Sequence, residues 1–290
     1  VEPTSNGIGG DAMAIVWDGN ALHGLNASGR SPRAWDISAF TEAVPRLGWA
    51  PVTVPGAVDS WVQCSREFGR MPFSELFDAA VSYAEDGYPV SPVTARLWAR
   101  AAETLSDFEP WRDTFLFNGA PPGIGQTARL PDHAETLRRI AESEGGSFYR
   151  GEIAQKIEAD AKLHGAAMSA QDLAGHTSDW VGTVQTGFHG VDLHEIPPNS
   201  QGLAALIGLG VLRHTPILET DVDSPDFFHL QIEAMKIAYA EVFAHLSDPA
   251  TMRVGVEDFL DDGFLARHAS QIHPSKAGVP CTMLQAAPST

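Results

Sequence analysis

The opening of the chain constrains the fold more than any other stretch, because a glycine-rich bend leads into two apolar runs around a tight turn. The bend covers residues 6–10 and the first apolar run covers residues 12–17. The dipeptide Asp18-Gly19 separates this run from a second one at residues 21–25. A turn dipeptide between two apolar runs is a strong local signal for a β-hairpin. The sequence therefore predicts paired strands at the start of the fold.

The rest of the pattern predicts helices followed by a second hairpin. Apolar spacing and helix-ending residues predict helices over residues 59–68, 74–84 (with Ser74 as N-cap), 92–105, 134–142, 151–163, 201–212 and 226–246. Ser169 and Asp172 have the spacing of a capping box that opens a short helix. Residues 181–187 and 191–196 read as strands around the turn 188–190. This order indicates an α+β fold with antiparallel pairing rather than regular βαβ alternation.

The predicted helix over residues 226–246 is apolar on most sides, which is typical of a buried helix. A surface that holds a partner subunit is the alternative interpretation of the same residues, and both interpretations can hold along one helix.

Charge and composition exclude several classes of function. The formal net charge is −18, with only 19 lysines and arginines in 290 residues. Such a surface would repel nucleic acids and anionic membranes. The eleven histidines and the two distant cysteines, Cys64 and Cys281, show no metal-ligand spacing, so no metal or other cofactor is expected. The cysteine count gives no argument for an oxidising compartment, so a cytoplasmic location is favoured over a periplasmic or secreted one.

Several segments resemble the γ-glutamyltransferase family, in the same order along nearly the whole chain. They are the opening run, Val54-Pro55-Gly56 with Phe68-Gly69-Arg70-Met71-Pro72, residues 84–91, Pro197-Pro198-Asn199-Ser200-Gln201-Gly202, and Ala238-Tyr239-Ala240 with Ser247-Asp248-Pro249. Phe68 stands where the family usually has tyrosine.

The resemblance implies a four-layer αββα sandwich of the N-terminal-nucleophile hydrolase type. Residues 1–290 would form a single large-subunit region that pairs with a separate small subunit from the same precursor. The small subunit would begin with the nucleophilic threonine, whose own α-amine can act as general base because it titrates near pH ~8. No catalytic residue is then expected in this chain. Thr290 would lie beside the scissile bond or in a tail upstream of it.

One segment departs from the family pattern. Glutamyl-specific members have an Asp-Phe-Arg-Glu-type stretch whose arginine binds the α-carboxylate of the substrate, whereas here residues 26–30 place Ser28 at that position. A hydroxyl cannot replace a guanidinium fork, and the lost contact is worth roughly a hundredfold in binding. The expected activity is therefore amide hydrolysis or acyl transfer on small amides, such as oxamate-type amides or β-lactam side chains. A true γ-glutamyltransferase acting on glutathione and a non-catalytic binding protein are the alternatives.

Four residues are the candidates for substrate binding: Ser28, Arg30, Asn199 and Ser200. If the strand continued, Ser28 and Arg30 would face the same side about 7 Å apart, so that Arg30 could bind a carboxylate. Alternatively, Arg30 is a solvated loop residue or pairs with an acidic neighbour. Asn199 and Ser200 could line the mouth of the active site or only cap the helix that follows.

Overall fold

The computed structural model describes residue 4, residues 7–40 and residues 42–279. Cys281, Thr290 and most of the opening segment before residue 7 lie outside the described residues. The chain divides into two compact units. The first comprises Val1–Met13 and Ala27–Asp179, and the second comprises Ala14–Asn26 and Trp180–Thr290. The prediction of a single large-subunit region over residues 1–290 stays a prediction.

The hairpin predicted at the start of the chain is present. Strands β1 (Ala12–Trp17) and β2 (Leu22–Ala27) are neighbours in a three-stranded sheet whose order is β1-β2-β5, where β5 is Asp179–Trp180. In the turn, the Asp18 carboxylate accepts hydrogen bonds from the backbone N–H groups of Asn20 and Ala21, at 2.7 and 2.8 Å. Such local side-chain bonding is why aspartate favours turns.

The first unit is mainly helical and encloses two apolar clusters. Its helices are α1 (Ala57–Phe68), α2 (Asp78–Asp86), α3 (Pro92–Leu105), α4 (Glu109–Phe115), α5 (Pro131–Glu142), α6 (Gly146–Tyr149), α7 (Glu152–Leu163) and α8 (Ala170–Ala174). Two short strands, β3 (Tyr88–Pro89) and β4 (Thr127–Ala128), pair antiparallel. The predicted capping box at Ser169 and Asp172 is confirmed and opens α8.

The helix predicted over residues 74–84 with Ser74 as N-cap is wrong in its first half. Phe73–Phe77 forms a 3₁₀ turn, and the α-helix begins only at Asp78. The tighter turn buries the Phe77 ring, whose centroid lies 5.0 Å from Phe73 and 6.0 Å from Trp61. Burial of these rings therefore outweighs the local helix signal.

Besides most of the first hairpin, the described residues of the second unit form a further hairpin and α-helices. Strands β6 (Val184–Phe188) and β7 (Val191–Glu195) pair antiparallel, with Phe188 opposite Val191. His189 and Gly190 form the turn with φ of +48° and +88°, as a tight two-residue hairpin turn requires. The helices are α9 (Leu203–Leu212), α10 (Pro225–His245), α11 (Val256–Phe259) and α12 (Asp262–Ala269).

Helices α9 and α10 form the centre of the second unit's core. Gly208 permits their close approach, because a Cβ atom there would lie 2.7 Å from the sulfur of Met235. Leu230, Ala234 and Ile237 on α10 are buried. The expectation that α10 is buried on most sides is wrong for the described chain, since several large apolar side chains on its other face are exposed.

The length and hydropathy of a helix determine whether it can cross a membrane. No helix among the described residues is both long enough and apolar enough to cross a bilayer.

Candidate functional site

Ser28 and Arg30 lie just beyond the end of β2, in a backbone segment that the first unit holds tightly. The N–H of Gly29 donates to Asp11 Oδ1 at 2.9 Å, and the N–H of Val54 donates to the Arg30 carbonyl at 2.9 Å. A Cβ atom on Gly29 would lie 1.5 Å from the Val54 carbonyl oxygen. The strand ends at Ala27, so the assumption that strand geometry continues through Arg30 is not met. The segment is nevertheless fixed by backbone contacts.

Gly56 packs closely against Ala27, the residue that precedes this segment. A Cβ atom on Gly56 would lie 1.7 Å from the carbonyl oxygen of Ala27. The dipeptide Pro55-Gly56, which contributed to the family resemblance, therefore brings the start of α1 against the end of β2. Only a residue without a side chain permits this approach.

The Arg30 side chain is 66% exposed and lies at the edge of a small pocket. Its guanidinium is 3.9 Å from Asp179 Oδ2, and the Asp179 side chain is also exposed. An exposed ion pair at this distance contributes little to stability. The pocket has a volume of about 70 Å³ and is lined by Arg30, Ser31, Arg33, Val54, Asp172, Gly175 and His176. The structure thus brings Arg30 together with Arg33 and His176, neither of which the sequence had indicated.

His176 is 7% exposed and forms the inner wall of this pocket. Its ring stacks on Tyr149 with centroids 5.3 Å apart, and its Nε2 is buried with no hydrogen-bond partner among the described residues. Burial lowers the pKa of His176 from its ordinary value of 6.5, while Asp59 opposes that shift. The neutral imidazole is therefore the favoured form at pH 7.

The buried imidazole of His176 should make stability depend on pH. A group whose pKa is lowered in the folded state contributes stability above its unfolded pKa, and this contribution is lost as the pH falls through the folded value. We expect the free energy of unfolding to fall from pH 7.5 towards pH 5.5, and to fall less in His176→Phe, which keeps a ring on Tyr149. Denaturant titrations over this range measure the difference. His164→Phe, at a surface histidine, is the control, and equal pH profiles for His176→Phe and the unsubstituted chain would contradict the prediction.

Two buried or half-buried acidic residues anchor the walls of the pocket. Asp172 Oδ1 accepts from the backbone N–H of Arg33, and Oδ2 accepts from the backbone N–H and the hydroxyl of Ser169. Asp59 Oδ2 accepts from the backbone N–H of Ser178 at 2.9 Å. These carboxylates are satisfied by their neighbours and hold in place the segments that carry Arg33 and His176.

Tyr149, which stacks on His176, belongs to the same hydrogen-bond network through Asp59. Its hydroxyl donates to the Pro55 carbonyl at 2.8 Å and accepts from the backbone N–H of Asp59 at 3.0 Å. Burial raises the pKa of the Tyr149 hydroxyl, so it stays protonated and acts as a structural donor. The network fixes Gly56 against the segment that holds Ser28.

Asn199 and Ser200 lie in the second unit, in the loop between β7 and α9. Asn26 Nδ2 donates to Asn199 Oδ1 at 2.9 Å, which ties this loop to β2. Ser200 Oγ accepts from the backbone N–H of Gly202, the residue before α9. Ser200 thus stabilises the turn before α9 without capping the helix, because Gly202 is the N-cap residue and no side chain caps it. Asn199 is oriented by a partner that is 173 residues away in sequence.

Possible metal ligands and the thiol of Cys64 are two further features of the described chain that bear on its chemistry. Among residues 7–40 and 42–279, together with residue 4, no group of three or more histidine, cysteine or acidic side chains could hold a metal ion. Cys64 lies half-buried on α1, and burial raises the pKa of its thiol, which disfavours the reactive thiolate.

Comparison with known proteins places these features in a family. The γ-glutamyltranspeptidase family model matches residues 1–288. A glutathione hydrolase-like proenzyme (YwrD) of Bacillus subtilis is 30% identical over 94% of this chain and 53% of its own length. An oxamate amidohydrolase proenzyme of Klebsiella pneumoniae is 31% identical over 96% of this chain and 54% of its own length.

A solved structure shows the same fold. The cephalosporin acylase of Bacillus halodurans is 39% identical and superposes with a TM-score of 0.88 over 94% of this chain and 52% of the acylase chain. The α+β fold class expected for an N-terminal-nucleophile hydrolase is thereby confirmed. The chain spans about half the length of the curated relatives it matches. Because the family model extends over nearly every residue, this chain belongs to the γ-glutamyltranspeptidase family.

Proposed function

We propose that the protein containing this chain cleaves small amides as a hydrolase or acyltransferase. In this proposal the chain is the large subunit, and a companion subunit from the same precursor begins with the nucleophilic threonine. Family membership supports the chemistry, and relatives that match most of this chain bear the names amidohydrolase and acylase. The names of several relatives also include the word proenzyme, which supports formation from a precursor.

The chemistry would divide between the two subunits. The threonine hydroxyl attacks the amide carbonyl while the threonine α-amine takes up its proton, and that proton leaves with the departing amine. Water or an acceptor amine then attacks the acyl-enzyme ester and releases the acyl group. In this scheme the large subunit supplies no reacting atom. It holds the part of the substrate that determines specificity.

The substrate we propose is a small amide whose acyl part carries a carboxylate in a position that differs from that of a γ-glutamyl group. The observation that carries this proposal is the fixed segment in which Ser28 replaces the family arginine while Arg30 lies beside Arg33 and His176 in the pocket. A volume of about 70 Å³ is far below the roughly 300 Å³ of a typical ligand pocket and well above the ~10–15 Å³ that holds one water. It therefore suits a carboxylate-sized group rather than a whole substrate.

Asn199 and Ser200 complete the proposed set of binding residues. The bond from Asn26 fixes which way the Asn199 amide faces, and Ser200 fixes the backbone turn beside it. We propose that Asn199 contacts the substrate directly and that Ser200 acts by positioning the loop.

The test is a panel of amides assayed with the processed two-subunit protein. We expect oxamate to be turned over with a kcat/KM roughly a hundredfold above that of a γ-glutamyl anilide, because Ser28 cannot pair with the α-carboxylate. Arg30→Ala should raise KM about tenfold for oxamate and leave KM for the neutral analogue oxamide nearly unchanged.

Arg100→Ala, at an exposed arginine on α3 of the same unit, is the matched control for loss of positive charge. Preference for the γ-glutamyl anilide would support the transferase alternative instead. Equal KM changes for oxamate and oxamide would remove Arg30 from the binding residues. An uncleaved precursor that turns over no amide would point to the non-catalytic alternative.

A further inference from the structure

A large groove in the first unit is bordered by both of its apolar clusters. The groove has a volume of about 800 Å³, within the roughly 300–1,000 Å³ that is typical of small-molecule sites. The rings of Trp35, Trp49, Phe108 and Trp111 line it. Trp49 packs against one apolar cluster and Trp111 packs against the other. A concave surface lined mainly by aromatic and apolar side chains is the usual form of a ligand-binding cleft.

Two of these indole rings are held by contacts within the unit. The centroid of the Trp35 ring lies 5.2 Å from that of Phe40, and the centroid of the Trp111 ring lies 5.5 Å from that of Phe115. Phe115 belongs to the helix α4 that also carries Trp111. Rings whose orientation is already fixed lose little conformational entropy when a ligand binds, so the aromatic wall is preorganised.

Asp160 places a carboxylate in this aromatic wall. Its Oδ2 accepts from Trp49 Nε1 at 3.0 Å, which fixes the carboxylate, and its side chain remains 45% exposed. Its Oδ1 accepts no hydrogen bond from the described residues. The described residues that line the groove include no lysine or arginine. An accessible carboxylate oxygen without a basic partner is suited to pair with a cation.

His164 supplies a second acceptor at the same end of the groove. Its Nδ1 donates to the backbone carbonyl of Asp160 at 2.9 Å and lies 3.4 Å from Asp160 Oδ2. Because Nδ1 carries the proton, Nε2 of the neutral ring is an acceptor. The His164 side chain is 48% exposed and lines the groove, so a donor on a ligand beside Asp160 could also use this nitrogen.

We propose that this groove binds a small organic cation, with its ammonium group paired to Asp160 and its aromatic ring packed among the indoles. Tryptophan attracts apolar rings and also, through the face of its own ring, cations. The net charge of −18 favours the approach of a cation and disfavours that of an anion. The inference goes beyond the proposed function and does not depend on it, because binding is measured without turnover.

The experiment titrates the purified full-length protein with three probes that differ mainly in charge: 4-phenylbutylamine, 4-phenylbutan-1-ol and 4-phenylbutanoate. Tryptophan fluorescence, excited where a phenyl ring does not absorb, reports binding, because three of the seven tryptophans line the groove. We expect the amine to bind at least about tenfold more tightly than the alcohol, because only the ammonium forms a charge-assisted hydrogen bond with Asp160. The butanoate should bind most weakly.

Two substitutions separate the contribution of charge from that of the aromatic wall. Asp160→Asn should weaken binding of the amine about tenfold and leave binding of the alcohol nearly unchanged. The amide oxygen of asparagine can still accept from Trp49, so the wall of the groove is kept. Phe108→Ala should weaken binding of the amine and of the alcohol alike, each about fivefold. Asp132→Asn, at an exposed aspartate on α5 of the same unit, is the matched control and should bind every probe normally.

Four results would each overturn the inference. The first is the absence of saturable binding by the amine, as expected if other polypeptide covers the groove in the full-length protein. The second is binding of the amine no tighter than that of the alcohol. The third is a loss of amine binding in Asp160→Asn no greater than that in Asp132→Asn. The fourth is tightest binding by the butanoate, which would assign the groove to an anion.

Discussion

Glu241→Ala is expected to lower the free energy of unfolding by about 3–5 kcal/mol, because it breaks a polar pair inside the core of the second unit. Glu241 and His268 are both fully buried, and His268 Nε2 lies 3.0 Å from Glu241 Oε1. His245 Nε2 is a further 3.7 Å neighbour of the same carboxylate. Truncation would leave the His268 Nε2 without its carboxylate and open a cavity beside Phe264. The ring centroids of Phe264 and His268 are 4.5 Å apart.

Urea unfolding of Glu241→Ala, Glu241→Gln and Glu85→Ala measures this cost. The amide oxygen of glutamine can still accept from His268, so Glu241→Gln should lose less stability than Glu241→Ala. Glu85 forms an exposed ion pair with Arg138, and its truncation should cost no more than about 1 kcal/mol. If Glu241→Ala is no more destabilising than Glu85→Ala, the buried pair of Glu241 and His268 does not stabilise the core of the second unit.

Gly29→Ala is expected to cost about 3 kcal/mol and to displace the segment that carries Ser28 and Arg30. The new Cβ would lie 1.5 Å from the Val54 carbonyl oxygen and 2.5 Å from its carbonyl carbon. These are backbone atoms, so no side-chain rotation relieves the clash. The hydrogen bond from Val54 to the Arg30 carbonyl must break or shift, and the pocket beside Arg30 shifts with it.

Gly123→Ala is the matched control for this substitution. Gly123 lies in a loop of the same unit, and a Cβ atom there meets nothing closer than Gln126 Oε1 at 3.9 Å. Its backbone φ is outside the positive range, so alanine should change stability by no more than about 0.5 kcal/mol. Thermal unfolding of both variants checks the contrast. Similar melting temperatures for the two would mean that the backbone at Val54 yields more easily than its packing indicates.

Local signals in the sequence were sufficient for much of the secondary structure. Both hairpins, the capping box at Ser169 and the helix over residues 92–105 follow from residues that act on their immediate neighbours: Asp18 in its turn, His189-Gly190 at positive φ, and the hydroxyl of Ser91 as N-cap of α3. The 3₁₀ turn before α2 was not predictable in this way, because the burial of Phe77 against Trp61 depends on contacts between separate elements.

The candidate site depended even more on contacts between residues that are distant in sequence, which local signals cannot predict. The importance of Ser28 came from the family resemblance, since a serine after a strand carries no signal of its own. Nothing in the sequence linked Arg30 to His176, because the two are brought together by packing across about 150 residues of chain. A buried histidine whose Nε2 has no described partner is recognisable only after folding, and so is the Asn26–Asn199 contact. Alternation along β2 also could not show that the strand ends before Ser28.

Glycines that face backbone carbonyls separate the positions in and around residues 28–33, the proposed substrate-binding segment, into those that tolerate variation and those that do not. Gly29 and Gly56 each leave no room for even a methyl group, whereas the side chains of Arg30, Ser31 and Arg33 border open space. A combinatorial library aimed at new acyl groups should therefore randomise residues 28, 30, 31 and 33 and keep both glycines constant. Most members of such a library would keep the fold, so the screen would compare substrate recognition rather than differences in folding.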